Sequence, residues 1–518
     1  MPSIALFAWP VVTLLLFAKL GPVRGLIWSV MLGYLLLPQR FDIDVPGMPP
    51  LNKTSVVPLS VLLATLIFDR RSHRSQRPAV HKDPLFQTMF WGLIVLWVLS
   101  PLGTVLTNGE PLISGPNTRP GLRLSEIRSL YLEAIFLIIP YFLAMRLLHD
   151  PKSHEVLLRA LDLAGLAYVN PILIETRLSP QFHTWVYGYF PHTWGQHIRG
   201  GAYRPVVFLE HGLSVGFFLC SLGLAAFALA YRAVGLSRLL LIGAGILFCA
   251  ILVLSKNTGA LILVLVFAPL VFFTSRRMQM RGVVAISILF LSYPALRQAE
   301  ILPMDDIVLT VEEKVSAERA GSLATRVVNE ELLLEHSSSK PVFGWGTWSR
   351  WRVFDERGRD ITIADGLWVI VLSERGWVGY IVTFGLMTLP VFFMARARRR
   401  RDVPTTTVIL AAITACNLIY ILPNSTLSPS AFLIIGGMAG FVRNLDPEAD
   451  PSMSDGPDTT QGSGGAPPGR SGRPGYTRFP NSDPGRIAPP AGAPVAATER
   501  APASQTRSEP RYGRKQRL

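Results

Sequence analysis

Polar and apolar positions along this chain alternate in long blocks. Apolar runs fall near 4–20, 25–38, 55–68, 86–106, 129–148, 156–174, 206–231, 235–254, 258–275, 282–296, 366–394, 405–421 and 427–442. A hydrocarbon layer about 30 Å thick is crossed by a helix of about 20 apolar residues, so these runs predict membrane spans. About thirteen helices are expected, or twelve with one re-entrant segment, because 25–38 and 55–68 are short for a crossing. The first run lacks a basic leader and a small-residue cleavage site, so it is expected as a retained helix. One long polar stretch, 297–365, interrupts the series, and beyond 442 the apolar pattern ends in Pro, Gly, Ser and Ala with scattered charges. The expected architecture is an all-α polytopic membrane domain, 1–442, followed by a disordered cytoplasmic tail, 443–518. No internal repeat is evident.

Charge then adds sidedness. Charged residues make up 16% of the chain, well below the roughly 25% of soluble domains, which supports the membrane reading. The net charge of +15 does not point to nucleic acid, because the arginines cluster in short loops between apolar runs. Arg70, Arg71, Arg74 and Arg77 follow the third run, Arg146 and Lys152 the fifth, Arg232 and Arg238 the seventh, Arg276, Arg277 and Arg281 the ninth, and Arg396 with Arg398 to Arg401 the eleventh. By the positive-inside rule these loops are cytoplasmic, which puts 39–54, 107–128, 176–205, 255–257, 297–365 and 422–426 outside, together with the N-terminus. The basic end of the tail, RYGRKQRL, reads as solvated or as a contact to anionic lipid. Cys220, Cys249 and Cys416 lie within apolar runs and read as small buried hydrophobes.

Candidate chemistry concentrates in the outer loops. The stretch 176–205 joins Arg199 and Arg204 to Gly200 and Gly201, where backbone can approach a ligand and guanidinium forks can meet phosphate oxygens. Trp185, Tyr187, Tyr189 and Trp194 are either membrane-interface aromatics or stacking surfaces for sugars. His183, His192 and His197 follow no metal-ligand spacing, and neither a metal nor another cofactor is expected. Glu210 and His211 fall just inside the next apolar run, where a titratable group costs roughly 2.5–3.5 kcal/mol at membrane depth and is seldom kept without a partner or a task. Lys256 breaks two apolar runs on the outer side, which argues for an anionic ligand or a nearby carboxylate.

In the large loop, GSLATRVVNEELLLEH predicts a helix capped by Ser322, with Leu323, Val327 and Leu334 on its apolar side. Arg326, Asn329 and Glu330 share one face, so an Arg326–Glu330 ion pair is the simple expectation. Asp365 stands at the mouth of the next apolar helix, where it serves either as its N-cap or as a fixed general base. Glu374, nine residues on, would face away from Asp365 in a regular helix and is expected to meet a basic group or pack between helices.

The order of these segments resembles the O-antigen ligase and O-antigen polymerase superfamily of membrane glycosyltransferases. KPVFGWGTW with Gly344 and Gly346, then Asp365-Gly366, then Glu374, Gly376 and Gly379 occupy the places of that family's Pro-Gly-x-Gly loop, His-Asn pair and Glu-x-Gly-x-x-Gly helix. RGGAYRPVVFLEHG resembles its arginine loop, and LSKNTGAL its Ser-Arg-x-Gly segment with Lys256 in place of arginine. Asp365-Gly366 departs from the family pattern, since aspartate is ordinarily a weaker base than histidine.

The resemblance implies transfer or polymerisation of a glycan from a polyprenyl-diphosphate donor onto an acceptor hydroxyl, at the periplasmic face of a bacterial inner membrane. This would serve lipopolysaccharide or exopolysaccharide assembly, alongside other assembly proteins. Arg199, Arg204, Lys256 and Arg326 would meet the diphosphate, Asp365 the acceptor hydroxyl, with Glu210, His211, Glu330 and Glu374 in support. Two other classes fit loops rich in aromatic and cationic residues: a transporter or flippase for a lipid-linked or anionic solute, and a non-catalytic scaffold contacting partners through its tail.

Overall fold

A computed structural model describes residues 1–45, 49–68, 83–199, 201–314, 316–347, 349–398 and 402–445. The expected tail and the arginines Arg70, Arg71, Arg74, Arg77 and Arg399 to Arg401 lie outside these residues. The chain is mostly helical, and eight helices are long and apolar enough to cross a membrane. In chain order these are α1 (Pro2–Leu36), α3 (Pro84–Thr107), α4 (Ile127–Leu147), α5 (Pro151–Leu178), α7 (Gly212–Arg232), α8 (Gly235–Leu254), α10 (Arg276–Gln298) and α13 (Leu367–Ala397). Four shorter apolar helices join them: α2 (Lys53–Phe68), α9 (Thr258–Phe273), α14 (Thr405–Ile421) and α15 (Pro429–Arg443). The polar segments hold α6 (Phe182–Tyr187), α11 (Met304–Lys314) and α12 (Ala317–Ser338), with two small hairpins, β1 (Leu112–Ser114) with β2 (Asn117–Arg119), and β3 (Ile198–Arg199) with β4 (Ala202–Tyr203). Every apolar run of the sequence is thus helical.

The first two runs share one element, and the reason is Gly21. Its φ of 76° and ψ of 172° break α1 at a conformation open to glycine. A side chain at Gly25 would strike the backbone of Phe17, and one at Gly33 would approach the Trp9 ring. Both pairs are centred on residue 21, so the halves of α1 run antiparallel.

Helices α7, α14 and α15 are buried almost throughout and form the centre. Around them α1, α3, α8 and α9 turn large apolar side chains outward, among them Phe7, Val95, Leu240 and Leu265, as a lipid-facing surface requires.

Contacts between loops sort them into two ends. At one end Gln39 N–H donates to His183, Asn108 donates to the Gly344 carbonyl, and Arg350 donates to the Glu110 and Pro120 carbonyls. At the other, Arg276 pairs with Asp402, Arg232 with Glu155, and His154 hydrogen-bonds Thr407. The segments predicted outside therefore meet one another, and so do those predicted inside.

Helix α13 is also broken, at Gly376 (φ 63°, ψ −169°). The loop 341–346 fills the gap. Trp377 and Val378 donate to the Pro341 and Val342 carbonyls, while Trp345 and Gly346 donate to the Ser373 and Glu374 carbonyls. Backbone groups that the break would leave bare are thereby satisfied inside an apolar bundle, where each unmet group costs several kcal/mol.

Candidate functional site

Four of the segments predicted outside converge on a cavity of about 510 Å³. Its walls carry Arg204, Lys256, Arg319 and Arg326, with His211, Asn257, Thr258, Tyr420 and Asn424, and one carboxylate, Asp365. Four cations against one carboxylate leave the cavity with an excess of positive charge.

Each cation is placed by local structure. Glu175, at the end of α5, accepts from Phe182 N–H with one oxygen and from Val206 and Val207 N–H with the other. That carboxylate ties together both ends of the loop and sets where Arg204 enters. Arg204 is buried and its guanidinium donates to Asn257 Oδ1. Lys256, at a positive φ of 56°, sits in the turn before α9, exposed on the cavity wall with no ion-pair partner among the described residues. The first turn of α9 follows, and no side chain caps it, so its N–H groups add to the attraction for an anion. Arg319 donates to Thr258 Oγ1 at 3.3 Å.

Arg326 donates from Nε to Asp365 Oδ2 at 3.0 Å, both side chains being partly exposed. The expected Arg326–Glu330 pair is therefore not the one formed. Glu330 instead accepts from the Trp368 indole at 3.3 Å and lies 3.9 Å from the buried Arg297. Burial pushes its carboxyl up to about 7, against the opposing pull of Arg297 and the Trp368 hydrogen bond. Nor does Asp365 cap α13: the N-cap is Gly366, and Leu367 N–H donates to the Asn424 carbonyl. Any side chain at 366 would collide with the Leu422 carbonyl and the Trp368 ring, which accounts for the glycine. Ser322 is likewise no cap, since α12 begins earlier behind Ser316; it lines the cavity from within the helix.

His211 precedes α7 and caps it, with Nδ1 accepting from Leu213 N–H at 3.2 Å. The expected position of Glu210 and His211 inside the helix is thus corrected to the turn before it. With Nδ1 used as acceptor, the imidazole proton sits on Nε2. Glu210 is exposed, does not line the cavity, and interacts electrostatically with Lys53. Glu374 also lies elsewhere: with Arg375 and Glu133 it lines a separate pocket between α3, α4 and the break in α13. Arg199 occupies β3, opposite Ala202, and its side chain lies outside what the structure describes.

Beside the cavity, His192, His197 and His211 pack ring to ring at 5.1–6.0 Å. Burial, reinforced by nearby Arg40 and Arg204, pulls His192 down to about 3 and His197 to about 4, so both are uncharged at neutral pH. Among the described residues no group of three His, Cys, Asp or Glu side chains is arranged to hold a metal ion. The aromatics of the loop are mostly structural. Tyr187 and Tyr189 donate to the Leu36 and Gln39 carbonyls, whereas Trp185 is exposed.

Sequence reasoning missed Arg319, Asn257, Tyr420 and Asn424. Arg319 lies before the helix as it was predicted to start, and the other three sit at the ends of apolar runs, where polar residues look like loop filler. No protein-family model matches the chain, and no curated protein matches it.

Proposed function

We propose that this chain is a membrane glycosyltransferase that takes a glycan from a polyprenyl-diphosphate donor and passes it to an acceptor hydroxyl on the outer face of a bacterial inner membrane. The observation that carries this reading is the cavity of four cations with one carboxylate, set at one end of an apolar bundle. A donor whose tail stays in the bilayer would present its diphosphate at such a depth.

In this scheme Arg204, Lys256, Arg319 and Arg326 hold the diphosphate, and His211 Nε2–H donates to one of its oxygens. The acceptor oxygen attacks the anomeric carbon, the bond from that carbon to the phosphate oxygen breaks, and polyprenyl diphosphate leaves with the electron pair. The acceptor proton passes to Asp365. The Arg326–Asp365 pair gives the order of events. When the diphosphate draws Arg326 toward itself, the carboxylate is released to the acceptor, so donor binding favours the free base.

The test is purified protein in nanodiscs with a polyprenyl-diphosphate oligosaccharide, following free polyprenyl diphosphate and glycan length. Wild type is expected to release carrier in EDTA as well as without it, because the charge is met by side chains. Asp365→Asn is expected to bind donor but lower turnover by about 10²–10⁴-fold. Longer glycan would mark a polymerase and transfer to another acceptor a ligase, whereas no release by wild type would sink the proposal.

The break in α13 at Gly376 favours a second reading, a transporter of a lipid-linked or anionic solute, since interrupted helices mark binding sites in that class. Movement of the lipid-linked glycan across the bilayer without carrier release would support it.

A further inference from the structure

We infer that the end of the bundle opposite the cation cavity carries a seat for one anionic phospholipid, between α10 and α13. Both helices run from the cavity end, where Arg297 and Leu367 lie, to this one. Here Arg277, Arg281 and Arg398 surround the mouth of a groove of about 670 Å³, which continues between Val284, Ala285, Ile288 and Ala395.

Three features point to this occupant. Asp402 is the one carboxylate in ion-pair reach of the group among the described residues, and it is engaged by Arg276 and, at 3.9 Å, by Arg398. Arg277 and Arg281 are exposed with no anionic partner, and Arg398 Nη1 is buried with no hydrogen-bond partner, again among the described residues. A desolvated guanidinium N–H aimed at no acceptor is costly, and a phosphodiester oxygen satisfies it.

The third feature separates lipid from free phosphate. Residues 277, 281, 284, 285 and 288 form one stripe of α10. At 1.5 Å per residue Ile288 lies about 10 Å beyond Arg281 along the axis. The groove is cationic at its mouth and apolar below, and Ile288 is 55% exposed beside it. Small side chains at Ala285 and Ala395 leave room for an acyl chain. An anionic head followed by hydrocarbon matches that order, as at other basic pockets between membrane helices. The seat is independent of any glycan chemistry at the other end.

The test is native mass spectrometry of the purified chain in detergent with phosphatidylglycerol or phosphatidylcholine added. Wild type is expected to retain phosphatidylglycerol about tenfold better, and the Arg277→Gln, Arg281→Gln double variant to lose that preference. A control, Arg232→Gln with Arg238→Gln, is expected to keep it. Ala285→Phe leaves every charge in place and closes the groove, so it too is expected to abolish retention. Equal retention of both lipids by wild type, or an unchanged preference in the double variant or in Ala285→Phe, would overturn the proposal. Displacement by millimolar inorganic phosphate would overturn it too, by marking a site for free phosphate.

Discussion

At the scale of single residues, Glu330 and Asp365 divide the roles that a buried and a partly exposed carboxylate can play. Asp365 and Arg326 are open to water, so their pair contributes about 0.2–1 kcal/mol at most, and Asp365→Asn should fold normally. Lost turnover in that variant would then be chemical. Glu330 is 9% exposed, and its carboxyl is raised from the ordinary 4.5 to about 7, so the folded state binds a proton that the unfolded state has released between those values. Its contribution to stability is present below about 4.5 and is lost as pH rises through about 7. Glu330→Gln cannot ionise and should remove this part of the pH slope. In thermal unfolding in detergent, the variant is expected to gain on wild type by a few degrees between pH 5 and pH 8. A difference that is flat with pH would show that Glu330 does not titrate in this range.

At the scale of elements, the break in α13 is where local sequence and tertiary packing depend on each other most. A Cβ at Gly376 would lie 2.4 Å from the Val342 carbonyl group, in addition to the strain of φ 63°. Gly188 has a φ of 85° with nothing within 4 Å, so Gly188→Ala carries the conformational cost alone, about 1–2 kcal/mol. Gly376→Ala should cost more, by at least about 1 kcal/mol, because φ 63° with ψ −169° is a region open essentially to glycine alone and the loop 341–346 must also move. Matching melting points for the two variants would mean that the loop is not seated in the break. This element also shows why the sequence was only partly legible. The apolar runs predict every apolar helix, since hydrophobicity is a property of the run itself, whereas α6 and α11 in the polar segments go unpredicted. The partner of Arg326 was not predicted, because i, i+4 spacing nominates Glu330, whereas the fold of 330–365 brings Asp365 onto the same guanidinium. The break at Gly376 is likewise hidden from local pattern, because the loop that fills it comes from residues about thirty positions upstream.

At the scale of the whole molecule, the placing of basic residues and the packing of loops are independent observations of one property, which loops share a side. Charge sorts the loops by a rule about insertion, while hydrogen bonds such as Lys340 to the Thr107 carbonyl and Thr406 to the Pro151 carbonyl sort them by contact. They give the same partition. Contact carries no information on which side is which, so sidedness rests on the arginines alone, and labelling can decide it. Ser338 is exposed at the end of α12 and Arg238 is exposed on the first turn of α8, at opposite ends of the bundle. Single substitutions Ser338→Cys and Arg238→Cys, in a chain whose Cys220, Cys249 and Cys416 are replaced by Ala, are compared in intact spheroplasts and in inverted vesicles with an impermeant maleimide. Ser338→Cys is expected to label in spheroplasts and Arg238→Cys in inverted vesicles. The reverse pattern would put the cation cavity in the cytoplasm, where nucleotide-linked donors are available, and would remove the ground for an externally presented lipid-linked glycan. Labelling of both from one side would contradict the two-ended arrangement itself.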